Sequence, residues 1–578
     1  MTTSSATAAS PAGGTQSLER AIALLRAVAA RAPDGARLVE LMAAAGLSKP
    51  TAHRLLTALA REGLVRQDER SRRYHLGPEL AALGLIAASP GPAPAGAPGE
   101  ARPDAPSSAF LRPEYRGGAI ALAQLLCDRH ARAGGAHPAL LHESVAGQTT
   151  ELSFARLAQD SARFASVLAG LGVGRGDRVA VLLPKGPELL IAALAIWRLG
   201  GVYTPLFTTY SPAAISFRLA DSGARAVVTN GFLSRKLPAA PDARPPAVVT
   251  VEDEEVLGES TDAVLFWSAL HTAAPAEHVA RYGEDEAFLQ IYTSEAEAKP
   301  LGVGVPVKAL AGIEQYMRVG LDLRDDDIYW NMADPGWAYG AYYGLVGPLL
   351  LGRTTIFCDG PYDVRQGYRM LTKFGVTNLT AAPSQVRAWH RAGPLQVPHK
   401  LALRIMSVVG EPLPPELITW ATQTLKVPLL DQYGQRETGI IIVNRYGIDR
   451  SGRDGAPQPD AGSLGRPMPG YRIVVLDQDG REAPVGGAGE IAIDTERSPL
   501  FWFEAYSNDA ELTARRFRHG PRYYLTGDWA FMDADGAIHY RGRVSDAVLM
   551  QQSGAPAETR GEAAGEVLGG RAAAGQGR

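Results

Sequence analysis

The stretch from Asp177 to Phe207, DRVAVLLPKGPELLIAALAIWRLGGVYTPLF, decides how the larger part of the chain folds. DRVAVLLP (177–184) is a continuous apolar run closed by proline, the pattern of a strand buried on both faces. ELLIAALAIWRLG (188–200) is longer, wholly apolar in its middle and ends on glycine, which predicts a core helix. GVYTPLF (201–207) is a second short strand and ARAVVTN (224–230) a third. Just upstream, TELSFARLAQDSARFASVLAGLGV (150–173) carries the 3.6-residue periodicity of an amphipathic helix and also ends at glycine. Strands alternating with helices predict a parallel sheet covered by helices. Such sheets bind ligands at the carboxyl ends of their strands.

Working outward, 578 residues are too many for one ordinary domain. With 46% hydrophobic and 21% charged residues, most of the chain can bury a core. The only cysteines are Cys127 and Cys358, which excludes a disulfide framework or a Cys-rich zinc site and points to a reducing, cytoplasmic compartment. The opening MTTSSATAASPAGGTQ has neither the charge nor the apolar core of a secretory signal. The best apolar run, LLIAALAIW from Leu189, falls short of the ~18 residues that span a membrane, so no membrane partner is expected. Residues 90–106 contain 14 Pro, Ala or Gly out of 17, a composition that cannot order itself by burial. The predicted division is therefore a disordered 1–14, a small module over 15–89, a linker over 90–110, a large domain over 111–550 and a disordered tail over 551–578.

In the small module, Leu18, Ala21, Ile22, Leu25, Val28 and Ala29 recur at helical spacing. A second short helix fits 37–44. Gly46 then breaks the chain, and Ser48 can cap a third helix whose first turn holds Pro50. There Ala52, Leu55, Leu56 and Leu59 face one way, with Lys49, Thr51, His53, Arg54 and Arg61 largely elsewhere. Two short runs, LVRQ and RRYHL, follow around a polar DERS turn. Residues 45–76 hold seven Lys/Arg and three Asp/Glu, a local 7 − 3 = +4 in a chain whose net charge is −3. Binding to phosphate backbones needs such a patch. Spacing and charge alone fit either a winged helix-turn-helix or a helical docking domain with a solvated basic face. The run QSLERAIALLRAVAARAPDGARLVELMAAAGLSKPTAHRLLTALAREGLVRQDERSRRYHLGPEL resembles the DNA-binding domain of IclR-type transcription regulators. That resemblance implies a homodimer on double-stranded DNA, with Ser48, Lys49, Thr51, His53 and Arg54 facing the major groove. Arg70, Arg72 and Arg73 would stand on the wing.

Further on come FLQIYTSEAEAKPLGV from Phe288, DPGWAYG from Asp334, VVGEPLP from Val408, DQYGQRETG from Asp431, RYYLTGDWA from Arg522 and YRGRVSDAV from Tyr540. Singly each is an ordinary loop; in this order and spacing they resemble the adenylate-forming superfamily of acyl-CoA synthetases, nearest the medium-chain and acetyl-type ligases. The implied fold class is a winged helix-turn-helix joined to a large α/β domain of parallel sheets and helices with a β-rich subdomain. The implied chemistry joins a carboxylate to AMP from ATP and then passes the acyl group to coenzyme A. By the same resemblance Gly410, Glu411 and Pro412 line the adenine pocket. Asp431, Gln432, Tyr433 and Gly434 bond and stack the base. Asp528 and Arg543 take the ribose, Thr293, Ser294, Lys299 and Arg436 lie toward the phosphates, and Glu437 holds Mg²⁺. Trp337, Tyr339 and Gly340 would wall the acyl pocket.

Three departures from the family pattern bear on activity. The loop Tyr-Thr-Ser-Gly-Thr-Thr-Gly-x-Pro-Lys-Gly reads here Tyr292 to Gly302, YTSEAEAKPLG. Both inner glycines and both inner hydroxyls are gone, and with them the backbone freedom that wraps phosphates. Glu295 and Glu297 add negative charge; a carboxylate ~4 Å from a phosphate charge costs about 4 kcal/mol at an effective dielectric of 20. Arg436 replaces the usual threonine and either pairs with Glu437 or holds an anion bidentately; the sequence does not choose. The family's mobile C-terminal lid domain, with its adenylation lysine, is expected to be absent after the Arg543 region, through a true terminus or a frameshift, a class of loss worth ~10²–10³ in rate. Coenzyme A binding is not expected without it. Two readings follow: a DNA-binding regulator whose catalytically degraded synthetase domain senses AMP, ATP, an acyl-adenylate or a carboxylate, or an acyl-CoA ligase with a DNA-binding appendage. A scaffold that binds no small molecule is a third.

Overall fold

The computed structural model describes residues 15–29, 31, 35–61, 64–68, 71–76, 113–115, 119–238, 246–252, 263–293, 300–360, 362–393, 400–445 and 462–544. The expected linker and both expected disordered ends lie outside the described residues. The chain divides into two compact units, with the division between Asp104 and Ala105.

In the first unit, helices span Thr15–Ala29, Leu38–Ala45 and Lys49–Arg61, and the strands Val65–Gln67 and Tyr74–Leu76 pair antiparallel. Gly46, at φ 63°, closes the second helix in the left-handed conformation that a residue with a Cβ resists. The core gathers Leu24, Ala27, Val28, Leu41, Leu56, Leu59, Val65 and Tyr74. The third helix buries the predicted face, with Leu55 at its edge. The first helix is rotated from its predicted face. Leu24 and Ala27 are buried, whereas Ile22 is 40% exposed and Ala29 is exposed. From Ala21 to Ala29 every residue but Arg26 is apolar, so periodicity alone could not orient the helix.

The second unit is built on three sheets. One has eight strands, in the order Tyr506–Ser507, Gly302–Pro306, Ala287–Tyr292, Val202–Pro205, Arg178–Val181, Ala226–Asn230, Ala247–Val251 and Val264–Leu265. All neighbours from Ala287–Tyr292 onward are parallel. The strands at 178 and 202 flank the helix Pro187–Arg198, every residue of which from Leu189 is buried. The opening stretch of sequence thus forms the β-α-β unit it predicts.

A nine-stranded sheet has the order Arg466–Pro467, Gly439–Val443, Leu429–Gln435, Ile405–Val409, Asn378–Ala381, Tyr329–Asn331, Thr355–Cys358, Pro138–Glu143 and Thr149–Ser153. Its six strands from Leu429–Gln435 through Pro138–Glu143 are parallel, with antiparallel pairs at both edges. The third sheet is wholly antiparallel: Ile473–Leu476, Ala488–Asp494, Tyr523–Met532 and Ile538–Arg543. One element differs from the sequence reading. The predicted helix from Thr150 begins only at Phe154, because Thr149–Ser153 pairs with Pro138–Glu143 as a strand. Ser153 then caps the helix, accepting from the Arg156 amide at 3.2 Å. Among the described residues no helix is long and apolar enough to cross a membrane.

Candidate functional site

The parallel strands of the nine-stranded sheet deliver their carboxyl ends to one region. After Val409 the backbone turns through Gly410, at φ 93°, a conformation that suits glycine. Glu411 follows and accepts from the Ser384 amide at 3.0 Å and the Ser384 hydroxyl at 2.7 Å. Pro412 is exposed beside them. In the adjoining strand Leu429–Gln435, the half-buried Asp431, Tyr433 and Gln435 alternate with the buried Leu430 and Gln432. The turn into the partner strand is tight. A Cβ on Gly434 would lie 2.2 Å from the Gly439 carbonyl oxygen, so only glycine fits there.

The antiparallel sheet brings Asp528 to Tyr433. Asp528 is buried, and its Oδ2 accepts from the Tyr433 hydroxyl at 2.5 Å and from Gln435 Nε2 at 3.1 Å. Cross-strand pairing sets Arg543 opposite, with Nε 3.4 Å from Asp528 Oδ1. Burial raises the Asp528 pKa above its ordinary value, and the Arg543 charge pulls it back. Gln435 also donates to the Thr526 carbonyl at 2.8 Å, which locks the two sheets together here. Asp431 has a different environment. Its carboxylate accepts from the Gln432 amide at 2.9 Å, and burial pushes its pKa up to about 8. Gln432 donates to the Asn444 carbonyl at 3.1 Å, leaving its buried Oε1 without a partner among the described residues.

On the other side of Gln435 the arrangement changes. The Arg436 carbonyl accepts from the Tyr342 hydroxyl at 2.8 Å. Glu437 is buried, and its Oε1 accepts from the Tyr506 hydroxyl at 2.6 Å. Arg516 Nε donates to the same hydroxyl at 3.1 Å. Of the two fates weighed for Arg436, pairing with Glu437 does not occur among the described contacts; Tyr506 takes that place. Thr293 is buried, and its hydroxyl accepts from the Leu301 amide at 2.9 Å, closing the base of the loop between them. Ser294 and Lys299, with Glu295 and Glu297, lie outside the described residues.

The aromatic trio separates. Trp337 is half-buried, with its ring 5.6 Å from that of Tyr339. Tyr339 itself is buried, and its hydroxyl is 2.8 Å from the Tyr316 hydroxyl in a cluster with Tyr343. A Cβ on Gly340 would stand 2.1 Å from the Asp334 carbonyl oxygen, so this glycine serves close backbone packing. Of the three, only Trp337 keeps an exposed surface.

In the first unit, Lys49, His53 and Arg54 are exposed along the third helix. Thr51 is half-buried, and its hydroxyl lies 3.0 Å from that of Ser48 at the helix start. On the hairpin, Arg72 is exposed at φ 55°. Arg73 does not project with it: Nη1 donates to the Gly35 carbonyl at 2.8 Å and lies 4.0 Å from Glu40. Arg70 lies outside the described residues.

The sequence reading omitted Gln435, Thr526, Tyr506 and Arg516. Gln435 was legible, being two residues beyond Tyr433 on the same strand face. Tyr506 and Arg516 reach Glu437 from 69 and more residues away, with no local signal.

Comparison with known proteins fits both units. Residues 127–497 match the AMP-binding enzyme family, and residues 17–69 match the IclR helix-turn-helix domain. An acetyl-coenzyme A synthetase of Streptomyces avermitilis is 30% identical over 468 residues, covering 75% of this chain and 69% of that protein. One from Bacillus subtilis is 30% identical over 427 residues, covering 73% and 72%. The crystal structure of a Brucella canis acyl-CoA synthetase superposes with a TM-score of 0.69 at 38% identity, over 76% of this chain and 77% of that one. The chain belongs to the AMP-binding enzyme family and carries, ahead of that domain, an IclR helix-turn-helix domain.

Proposed function

We propose that this chain is a cytoplasmic, homodimeric DNA-binding regulator whose AMP-binding domain senses an adenylate- or acyl-type ligand without making one. The observation that carries the reading is a contrast within one site. Asp528, Tyr433, Gln435 and Arg543 form a hydrogen-bonded array suited to a nucleoside. The stretch from Tyr292 to Gly302 lacks the two inner glycines and two inner threonines of the family pattern. Asp528 would accept from ribose hydroxyls, with Arg543 donating beside it. The Tyr433 ring offers a face for adenine, and Gly410, Glu411, Pro412, Asp431, Gln432 and Gly434 border the base. Asp431, with its raised pKa, is a protonated donor near neutral pH. Thr293, Ser294, Lys299 and Arg436 remain for an anionic group, and Trp337 for an acyl chain. In the first unit, Lys49, Thr51, His53, Arg54 and Arg72 would meet double-stranded DNA, with Ser48 holding the helix start. A ligand changes DNA affinity only if it binds the DNA-competent state differently, and ligand-dependent dimerisation is one route to that.

A second reading is an acyl-CoA ligase with a DNA-binding appendage, with ATP, Mg²⁺ and coenzyme A as partners. Its support is the name of the relatives, acetyl-coenzyme A synthetases matched over 69% and 72% of their lengths. ATP–pyrophosphate exchange over a panel of short and medium carboxylates separates the two. The sensor reading expects no exchange above a Lys299→Ala/Glu437→Ala control, and DNA affinity by anisotropy that shifts with AMP or an acyl-adenylate. Exchange above the control would establish the ligase reading. DNA affinity indifferent to every ligand would end the sensor reading.

A further inference from the structure

The backbone that presents Asp528 departs from a regular ladder. Strands Ala488–Asp494 and Tyr523–Met532 pair from Ala488 to Glu490 and again from Ala492 to Asp494. Between those two stretches the single residue Ile491 faces three, Thr526, Gly527 and Asp528. Gly527 stands at φ 81°, a left-handed conformation that glycine tolerates. Bulges of this kind leave ladder groups unpaired and re-aim a side chain, here the Asp528 carboxylate. Side chains take up the backbone groups so freed. The Thr526 hydroxyl donates to the Ile491 carbonyl at 2.9 Å and accepts from the Asp528 amide at 3.2 Å. The Thr526 carbonyl accepts from Gln435 Nε2 at 2.8 Å and from Arg516 Nη1 at 2.9 Å. The Gly527 amide donates to Glu490 Oε1 at 2.8 Å.

Glu490 is buried, and a buried carboxylate is costly unless its oxygens are bonded. Its second oxygen, Oε2, accepts from Arg518. Arg518 is half-exposed, so the ion pair by itself contributes little. Together the two bonds fix the plane of the carboxylate, and with it the place of the Gly527 amide. Asp528 follows directly in the chain, and its Oδ2 accepts from Tyr433 and Gln435. Glu490 thus reaches Asp528 through the backbone of Gly527.

We infer that Glu490 is a positioning residue: through the Gly527 amide it sets the Thr526–Asp528 bulge so that Asp528 meets a ligand's ribose hydroxyls. This rests on the nucleoside reading of the pocket given above. The test is calorimetric titration of the full-length chain with AMP and with its dideoxy analogue, which lacks both ribose hydroxyls. The wild-type chain is expected to bind AMP more tightly than the analogue. Glu490→Ala should weaken AMP binding about tenfold or more, the worth of a hydrogen bond to a charged group, and leave binding of the analogue unchanged. Glu490→Gln, which keeps an acceptor for the Gly527 amide, should restore most of the AMP affinity. In an Asp528→Asn background Glu490→Ala should have no further effect, because the two residues act in series. Circular dichroism checks that each variant is folded. Where Glu490→Ala does not fold, Thr526→Val, which exchanges only a hydroxyl for a methyl on the same bulge, carries the same comparison and the same outcomes. A folded variant with unchanged AMP affinity, or with equal losses for the two nucleotides, overturns the inference and leaves the pocket reading standing. A wild-type chain that binds neither nucleotide, or binds both equally, overturns both.

Discussion

At the end of the site proposed for a nucleoside, Asp528 meets Tyr433, Gln435 and Arg543 through contacts that a ligand's hydroxyls can replace or join. At the end proposed for the phosphate, Glu437 Oε1 accepts from the Tyr506 hydroxyl, to which Arg516 also donates. In sequence, Glu295, Ala296, Glu297 and Ala298 stand where the family pattern has glycines and threonines. The difference teaches that recognising a nucleoside and transferring a phosphoryl group make separable demands. The first needs a carboxylate, a donor and an aromatic face on rigid strands. The second needs a backbone that wraps phosphates and charge aimed at the transition state.

The largest effect should come from breaking the first end. Asp528→Asn is expected to weaken AMP binding about a hundredfold or more by equilibrium titration, since two charge-assisted bonds at about 1.5–3 kcal/mol each are lost. Next, the Lys49→Ala/Arg54→Ala pair should lower DNA affinity and flatten its salt dependence by about one unit of slope per phosphate contact removed. AMP titration of that variant should be unchanged, because the changes lie in the other unit. A third variant sharpens the second end. Replacing Glu295 and Glu297 by glycine should strengthen ATP binding about tenfold by removing two like charges, with little change for AMP and still no pyrophosphate exchange.

Smaller effects concern pH and packing. Burial holds the Asp431 pKa at about 8, above its ordinary value of 3.8, so the folded state favours the protonated carboxyl. Its stabilising contribution is whole below the ordinary carboxylate range and is lost as pH rises through about 8. The thermal midpoint should therefore fall between about pH 4 and pH 8, and Asp431→Asn should flatten that fall. Tyr433→Phe should cost about 1 kcal/mol in a urea titration, the worth of one hydrogen bond. It should retain AMP binding, because the stacking ring remains.

Much of the fold was legible because its signals are local. The run Asp177–Phe207 carries strand, helix and strand in its apolar pattern, and the helix Pro187–Arg198 formed where that pattern placed it. The third helix of the first unit buried Ala52, Leu56 and Leu59 as their spacing requires. Where the signal was uniform, the reading slipped. Alanine-rich composition left the first helix without a distinct face, and Thr149–Ser153 became a strand because a partner lay beside it. In the site, Asp528 and Tyr433 could be named from motifs, but not the bond between them.

By itself, then, the sequence determined the two families, the order of their motifs and the residues by which the Tyr292–Gly302 stretch departs from the family pattern. These depend on residue types at fixed short spacings, and such spacings survive in the linear chain. Only the tertiary structure decided that Arg73 turns inward to Gly35, that Tyr339 faces Tyr316, and that Glu437 is engaged by Tyr506 with Arg516 behind it. The physical reason is that local pattern encodes backbone state and burial. Which side chain satisfies a buried carboxylate is set by the register of strands and helices brought together from distant parts of the chain.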